Sequence, residues 1–229
     1  MKIAILDFVD LPLELGGGPI ATQLIADWLS PALPEATLSV VNVAGGDSLP
    51  APGAFDGFVL GGSEKGVYDS TPWMRPLRQW LLDIRVLRAP VFGICFGHQI
   101  MADTYGGKAG LVDQGMVVGT RRFTVQGEAV QTYVWHQDQV TKSPPGARSL
   151  GGADYCPMGV LAYDFPALSV QFHPEFTRDF MTRTIADCAG SYIAADLAET
   201  AAQSVHNGDV APDLMAAEAA GVLRGANGR

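Results

Sequence analysis

The sequence predicts an α/β fold, an open and mostly parallel sheet covered by helices on both faces. Three observations predict it. Short apolar runs at Ile3 to Leu6, Phe58 to Leu60 and Val91 to Ile94 have the length and character of strands buried on both sides. Longer segments with helical spacing alternate with them, and strand-helix alternation is the pattern of parallel sheets. The chain has 229 residues, 48% of them hydrophobic and 17% charged, which supplies core material for one sizeable domain or two small ones.

Ile3 to Leu6 is the first expected strand, followed by a long connection from Asp7 to Pro19 rich in Gly, Leu and Pro. In the next segment Ile20, Leu24, Ile25, Trp28 and Leu29 share one helical face. Thr37 to Val43 reads as the second strand and Phe58 to Leu60 as the third, the latter ending in Gly61-Gly62-Ser63. Pro72 to Leu87 predicts a helix, because Pro72 or Pro76 fits its first turn. Val91 to Ile94 is the fourth strand, and a helix from Phe96 to Tyr105 follows at once. After Gly107 the rhythm changes. Val117 to Val125, Val130 to Trp135, Gly159 to Tyr163 and Leu168 to Phe172 read as strands without long helices between them, a mixed or β-rich extension on the same core. Helix returns from Thr177. The Ala-rich segment from about Leu197 to Arg229 is helical with a frayed Gly225 to Arg229 end. The expected organisation is a domain over 1–196 and a helical tail over 197–229, with no internal repeat.

The net charge of −9 offers no basic field for phosphates and argues against nucleic acid as a partner. The chain has 3 cysteines, Cys95, Cys156 and Cys188, an odd number far apart in sequence. No disulfide framework follows, and a reducing, cytoplasmic setting is the simpler expectation. The opening apolar run is too short for a signal peptide, and no stretch has the length of a membrane span.

Cys95 stands in Gly93-Ile94-Cys95-Phe96-Gly97-His98-Gln99, where an apolar strand ends and a helix begins. That is the form of a nucleophile elbow. The two glycines permit close packing around a sharp turn. The helix N-terminus favours a thiolate. From these residues alone two readings stand, a nucleophile and a buried structural thiol. A thiolate needs a base, and the base an orienting group. Of the 4 histidines, His206 lies in a polar stretch of the tail, and His98 shares the helix with Cys95. His173 closes the strand Ser169-Val170-Gln171-Phe172 and is followed by Pro174 and Glu175. Residues i and i+2 of an extended chain point the same way, so Glu175 can orient His173. An ordinary strand-end histidine is the alternative.

Gly93 to Gln99 together with Gln171-Phe172-His173-Pro174-Glu175 resembles the signature pair of the class I (triad) glutamine amidotransferases. Gly61 to Asp69, Pro72-Trp73, His136-Gln137-Asp138-Gln139-Val140 and Cys156-Pro157 resemble the free-standing branch related to the amidotransferase half of GMP synthase. The likeness runs from about Ile3 to Phe176. It implies the flavodoxin-like, mixed and mostly parallel sheet of that family. It also implies Cys95 as nucleophile, His173 as general base and acid, and Glu175 as orienter. The backbone N–H groups of Gly62 and Phe96 would form the oxyanion hole, and Gln99 would help hold the substrate. A glycine pair at a strand end presents its amide without side-chain obstruction. No metal and no organic cofactor is implied.

Several features depart from that pattern or stand outside it. Ser63 occupies a position where the GMP synthase relatives carry Pro. Gly151-Gly152-Ala153-Asp154 is flanked by Leu150 and Tyr155 rather than serines, so it is read as a loop and not as an adenylating motif. Gly16-Gly17-Gly18 lacks the residues of a phosphate loop and reads as a plain loop. His136 and Asp138 are read as supports of the site, His98 as structural, and Arg121-Arg122 as a solvated strand edge.

The function implied first is hydrolysis of the γ-glutamyl amide of glutamine through a cysteine thioester, with ammonia passed to a separate synthetase chain. The alternative is a free-standing γ-glutamyl hydrolase or peptidase. A third reading is a non-catalytic binding or regulatory protein on the same fold, which the presence of all three catalytic residue types disfavours. The expected ligand is therefore glutamine or a γ-glutamyl compound. The Ala-rich helices of the tail are expected to pack on their own domain, with packing against a second subunit in a homo-oligomer as the alternative.

Overall fold

The computed structural model describes residues 1–11 and 19–225. Gly16-Gly17-Gly18, most of the Leu11-to-Pro19 connection and residues 226–229 of the expected frayed end lie outside the described residues. In chain order the elements are β1 (Lys2–Asp7), α1 (Pro19–Leu29), β2 (Thr37–Asn42), β3 (Gly57–Leu60), α2 (Met74–Leu87), β4 (Val91–Ile94), α3 (Phe96–Thr104), β5 (Lys108–Leu111), β6 (Val117–Val125), β7 (Glu128–His136), β8 (Asp138–Lys142), β9 (Arg148–Ala153), β10 (Cys156–Ala162), β11 (Ala167–Val170), α4 (Arg178–Cys188), α5 (Ala195–Asn207) and α6 (Ala216–Leu223).

Among the described residues a nine-stranded sheet runs β2-β1-β3-β4-β11-β10-β9-β6-β7, and β5 and β8 form a small second sheet. From β2 to β11 the pairings are parallel, and from β11 to β7 they are antiparallel. The parallel half repeats the flavodoxin-like order, with β11 as its fifth strand. Successive residues of β1 serve opposite faces, as the strand period demands. Ile3 and Ile5 join Trp28 and Leu29 of α1 and Ala219 and Leu223 of α6. Ala4 and Leu6 join Leu77 and Leu81 of α2 and Ile100 of α3. A third cluster sets Met181 and Ile185 of α4 and Ala201 and Val205 of α5 against Val118 and Tyr133 of β6 and β7.

The tail helices belong to these layers. Thr120 N–H in β6 donates to Ser204 Oγ in α5 at 2.9 Å, and Trp28 Nε1 in α1 donates to the Leu214 carbonyl at 3.0 Å. No helix among the described residues is long and apolar enough to cross a membrane.

One expectation is corrected. Gly151 and Gly152 lie in β9, not in a loop. A Cβ on Gly151 would collide with the Thr124 carbonyl of β6, and one on Gly152 with the Cys156 carbonyl. The glycines mark close backbone approach inside a sheet. The expected solvated edge at Arg121 and Arg122 holds on one side: β6 pairs with β7 over its whole length but with β9 only at Thr124 and Val125. Arg122 is exposed, and Arg121 is half-buried with its guanidinium donating to the Thr120 carbonyl at 2.9 Å.

Candidate active site

β3, β4 and β11 are adjacent and parallel, so their carboxyl ends form one rim. Leu60 pairs with Gly93, and Val170 pairs with Ile94. Continuing that register past the strand ends brings Gly62 and Gln171 beside Cys95. The backbone turns sharply there, with Cys95 at φ 52° and ψ −102°. Such a conformation costs about 1–3 kcal/mol and persists only where the surroundings hold it. They do. Cys95 N–H donates to the Val170 carbonyl at 2.9 Å, Gly97 N–H to that of Gly61 at 3.1 Å, and Gln99 N–H to that of Cys95 at 3.0 Å. A Cβ on Gly97 would collide with the Leu60 carbonyl, and one on Gly93 would lie 2.7 Å from Met101 Sδ. Only glycines let α3 settle this close to β3. Phe96 opens α3, so its N–H has no carbonyl within the helix to accept it.

His173 arrives from the far side of β4. The chain stays extended past β11, and His173 N–H donates to the Tyr133 carbonyl at 2.9 Å in a single antiparallel bridge. That bridge ties the end of β7 over the rim and carries Trp135 and His136 to the site. His173 Nδ1 lies 2.7 Å from Glu175 Oε1, and both residues are 5% exposed. Phe176 stacks flat on the imidazole, 3.9 Å between centroids and 8° between planes. Burial opposes a charge on His173. It is the largest single effect, yet Glu175 and Cys95 together outweigh it, and the pKa is pushed up to about 10. A Cβ on Gly62 would sit 3.3 Å from His173 Cε1 and 4.0 Å from Cys95 Cβ, so the glycine leaves open the space between thiol and imidazole.

Cys95, Gly62, Gln99, His173 and Glu175 all line one cleft of about 410 Å³. Phe96, the other residue expected at the oxyanion hole, is not among the residues that line it; its ring is buried against Phe8 at 5.3 Å and Trp73 at 5.6 Å. Gln99 is more tightly engaged than a plain substrate contact requires. Its Nε2 donates to the Asp138 carbonyl at 3.0 Å and to Gln171 Oε1 at 3.2 Å. Gln171 Nε2 in turn donates to Cys95 Sγ at 3.7 Å. Sequence reasoning gave Gln171 no role, although the i, i+2 rule that pairs His173 with Glu175 puts Gln171 on the same side. It also missed Trp135, whose carbonyl lies 3.8 Å from the sulfur, and the aromatic flank at Phe176.

The other histidines differ in their surroundings. His136 lines the cleft with its Nδ1 3.0 Å from the Asp138 carbonyl and Nε2 3.3 Å from the Tyr155 hydroxyl, and burial lowers its pKa to about 4. Tyr68 donates its hydroxyl to the Asp138 carboxylate at 3.3 Å. His98 is fully buried, 2.7 Å from Ser169 Oγ, and burial holds it neutral with a pKa of about 3. His206 is exposed near the end of α5. Among the described residues no group of three or more His, Cys, Asp or Glu side chains is arranged to hold a metal ion.

A thiol at a helix N-terminus, an imidazole beside it and a carboxylate behind the imidazole can pass a proton between a nucleophile and a leaving group. The chain is 28% identical over 143 residues to gamma-glutamyl peptidase 2 of Arabidopsis thaliana, covering 57% of this chain and 58% of the peptidase. It is 30% identical over 178 residues to the glutamine-hydrolyzing GMP synthase of Pseudomonas aeruginosa, covering 65% of this chain and 32% of the synthase. The chain thus spans less than two thirds of either relative's length. The solved glutamine amido transferase of Methylobacillus flagellatus superposes with a TM-score of 0.76 over 97% of this chain and 92% of that one, at 20% identity. This likeness speaks for the fold. The profile of the family "Glutamine amidotransferase class-I" matches residues 51–188, from the approach to β3 through the end of α4, and with that the chain belongs to the class-I glutamine amidotransferase family.

Proposed function

We propose that the protein hydrolyses a γ-glutamyl amide bond through a thioester on Cys95. The observation that carries this reading is the convergence of Cys95, His173 and Glu175 in one cleft, with His173 Nδ1 held 2.7 Å from Glu175. The Cys95 sulfur attacks the γ-carbonyl carbon, and the carbonyl π electrons move onto oxygen. The oxyanion is met by the N–H groups of Gly62 and Phe96. His173 gives its proton to the amide nitrogen, the C–N bond breaks, and the amine leaves. Water then attacks the thioester, His173 takes its proton, and glutamate departs with the thiolate restored. Glu175 keeps the imidazole oriented, Gln99 holds the substrate, and Gln171 steadies the sulfur.

A second reading concerns only the amine. The glutamine-hydrolyzing GMP synthase relative favours ammonia made from glutamine, which this chain would pass to a separate synthetase chain. The peptidase relative favours a larger γ-glutamyl compound released without a partner. The three buried free thiols fit a reducing, cytoplasmic compartment.

The test is steady-state release of glutamate from glutamine and from γ-glutamyl compounds by the purified chain, with Cys95→Ala as the control. The expected result is turnover that falls about a thousand-fold or more in the variant. Equal turnover by the two proteins would remove Cys95 from the mechanism, and no turnover of any γ-glutamyl amide would sink the reading.

A further inference from the structure

The cleft has two unlike ends. Around Gly62, Gln99 and Asp138 it carries the polar groups of Asp7, Ser63, Glu64 and Lys65, which a glutamyl group with its charged α-substituents requires, beside small and aliphatic side chains such as Val9, Ala21 and Ile25 but no aromatic ring. Beyond His173 it is apolar. Trp135, Phe176 and Phe180 are half-buried there, Met116 lies beside them, and Tyr192 is 62% exposed. Large apolar side chains lining a concave wall and left partly open to solvent offer a ready surface for an apolar ligand.

The wall starts at the imidazole itself. Phe176 stacks on His173 at 3.9 Å, and Phe180 follows at 4.6 Å from Phe176. The proposed proton donor to the departing nitrogen is thus the first member of this wall. Whatever is bonded to that nitrogen must lie within reach of His173 and beside these rings. Among the described lining residues the only basic side chain of the Lys or Arg type is Lys65, which is at the polar end and paired with Glu64 at 3.1 Å. The apolar end therefore has no cation to receive a carboxylate on the departing group. The cleft's 410 Å³ is also more than ammonia as the departing group would call for.

We infer that the preferred substrate is the γ-glutamyl amide of an apolar, uncharged amine, whose aromatic or bulky aliphatic group packs on the Trp135–Phe176–Phe180–Tyr192 wall. The inference rests on the γ-glutamyl hydrolase reading above and names the substrate class for that same site. The wall binds the departing group before and during cleavage. A hydrophobic contact of this kind discriminates modestly per methylene and more strongly for a whole ring. Ammonia, the leaving group from glutamine, gains nothing from it.

The experiment compares kcat/KM for γ-glutamyl benzylamide, γ-glutamylglycine and glutamine, using the full chain. The benzylamide is expected to exceed each of the other two by about ten-fold or more. Phe180→Ala and Tyr192→Ala should each narrow the benzylamide-to-glutamine ratio by about three-fold or more. Tyr192 is the safer variant for folding because its side chain is largely in solvent. Cys95-dependent turnover of glutamine or γ-glutamylglycine at least equal to that of the benzylamide would overturn the inference and leave the hydrolase reading standing. So would a ratio unchanged in both wall variants. Absence of turnover on all three substrates would overturn both.

Discussion

His173 is the residue on which the proposed chemistry turns, and its charge is set by two opposed effects. Burial pushes its pKa down, and the Glu175 carboxylate with the Cys95 sulfur pushes it up, to about 10. The imidazolium is therefore kept through neutral pH and is lost as pH rises through that value. Glu175→Gln removes the attraction and leaves the burial, so the pKa of His173 must fall. The alkaline limb of the kcat/KM profile is expected to move to lower pH in that variant, with a loss of activity at neutral pH. A pH–rate comparison of the two proteins checks this, and an unmoved limb would mean that Glu175 does not hold the charge. His136 and His98, at about 4 and about 3, stay neutral over the same range and do not contribute limbs of their own.

At the scale of elements, the site exists because α3 is pressed onto β3. Gly97 makes the contact, since any Cβ there would strike the Leu60 carbonyl and lie 2.8 Å from the Leu60 Cβ. The Gly97 N–H also anchors the turn on the Gly61 carbonyl at 3.1 Å. Gly97→Ala forces α3 away from the sheet. The expected cost is about 1–3 kcal/mol of stability, as for other overpacked positions, together with displacement of Cys95 and loss of activity. Urea unfolding of the variant measures the first. An unchanged midpoint would show that the helix can shift freely, against the close packing seen. α4 has the complementary task. Thr177 caps it by accepting from Phe180 N–H at 3.1 Å, and its buried face of Met181 and Ile185 fixes it over β6 and β7. Its start carries Phe180 to the cleft.

On the scale of the whole molecule, the sheet is shared by a parallel half that supplies the rim and an antiparallel half that folds β7 over it. The last helices complete the layers around both. Ala219, Ala220 and Leu223 of α6 are buried with Ile3, Ile5 and Phe92, and Arg224 pairs with Glu35 at 2.7 Å. We propose that a tail beginning at 197 is not separable from the domain over 1–196. Deleting residues 209–229 uncovers the apolar face of β1 and β4 beside α1. The expected outcome is loss of cooperative unfolding and association of the exposed faces, read by circular dichroism and light scattering. A monomeric truncated chain with an unchanged melting temperature would show that α6 is dispensable.

The first four parallel strands, the sharp turn at Cys95 and the alignment of His173 with Glu175 were legible in the sequence. These follow from local rules: buried strands as short apolar runs, glycines where a turn is crowded, and a two-residue period in extended chain. Other features were decided only by tertiary structure. β11, grouped by its sequence with the β-rich extension, joins the parallel half through its pairing with β4. β5, β8 and β9 have weak apolar patterns of their own and are strands because of their partners. Gly151 and Gly152 looked like a loop, yet they are strand residues because β6 and β10 approach too closely for a Cβ. Gln171 acquires a sulfur to bond only when β11 pairs with β4, and Trp135 a place in the cleft only when Tyr133 bridges to His173. The physical reason is common to all of these. Each depends on segments distant in sequence meeting in space, and such meetings are set by how the whole core packs rather than by the residues on either side.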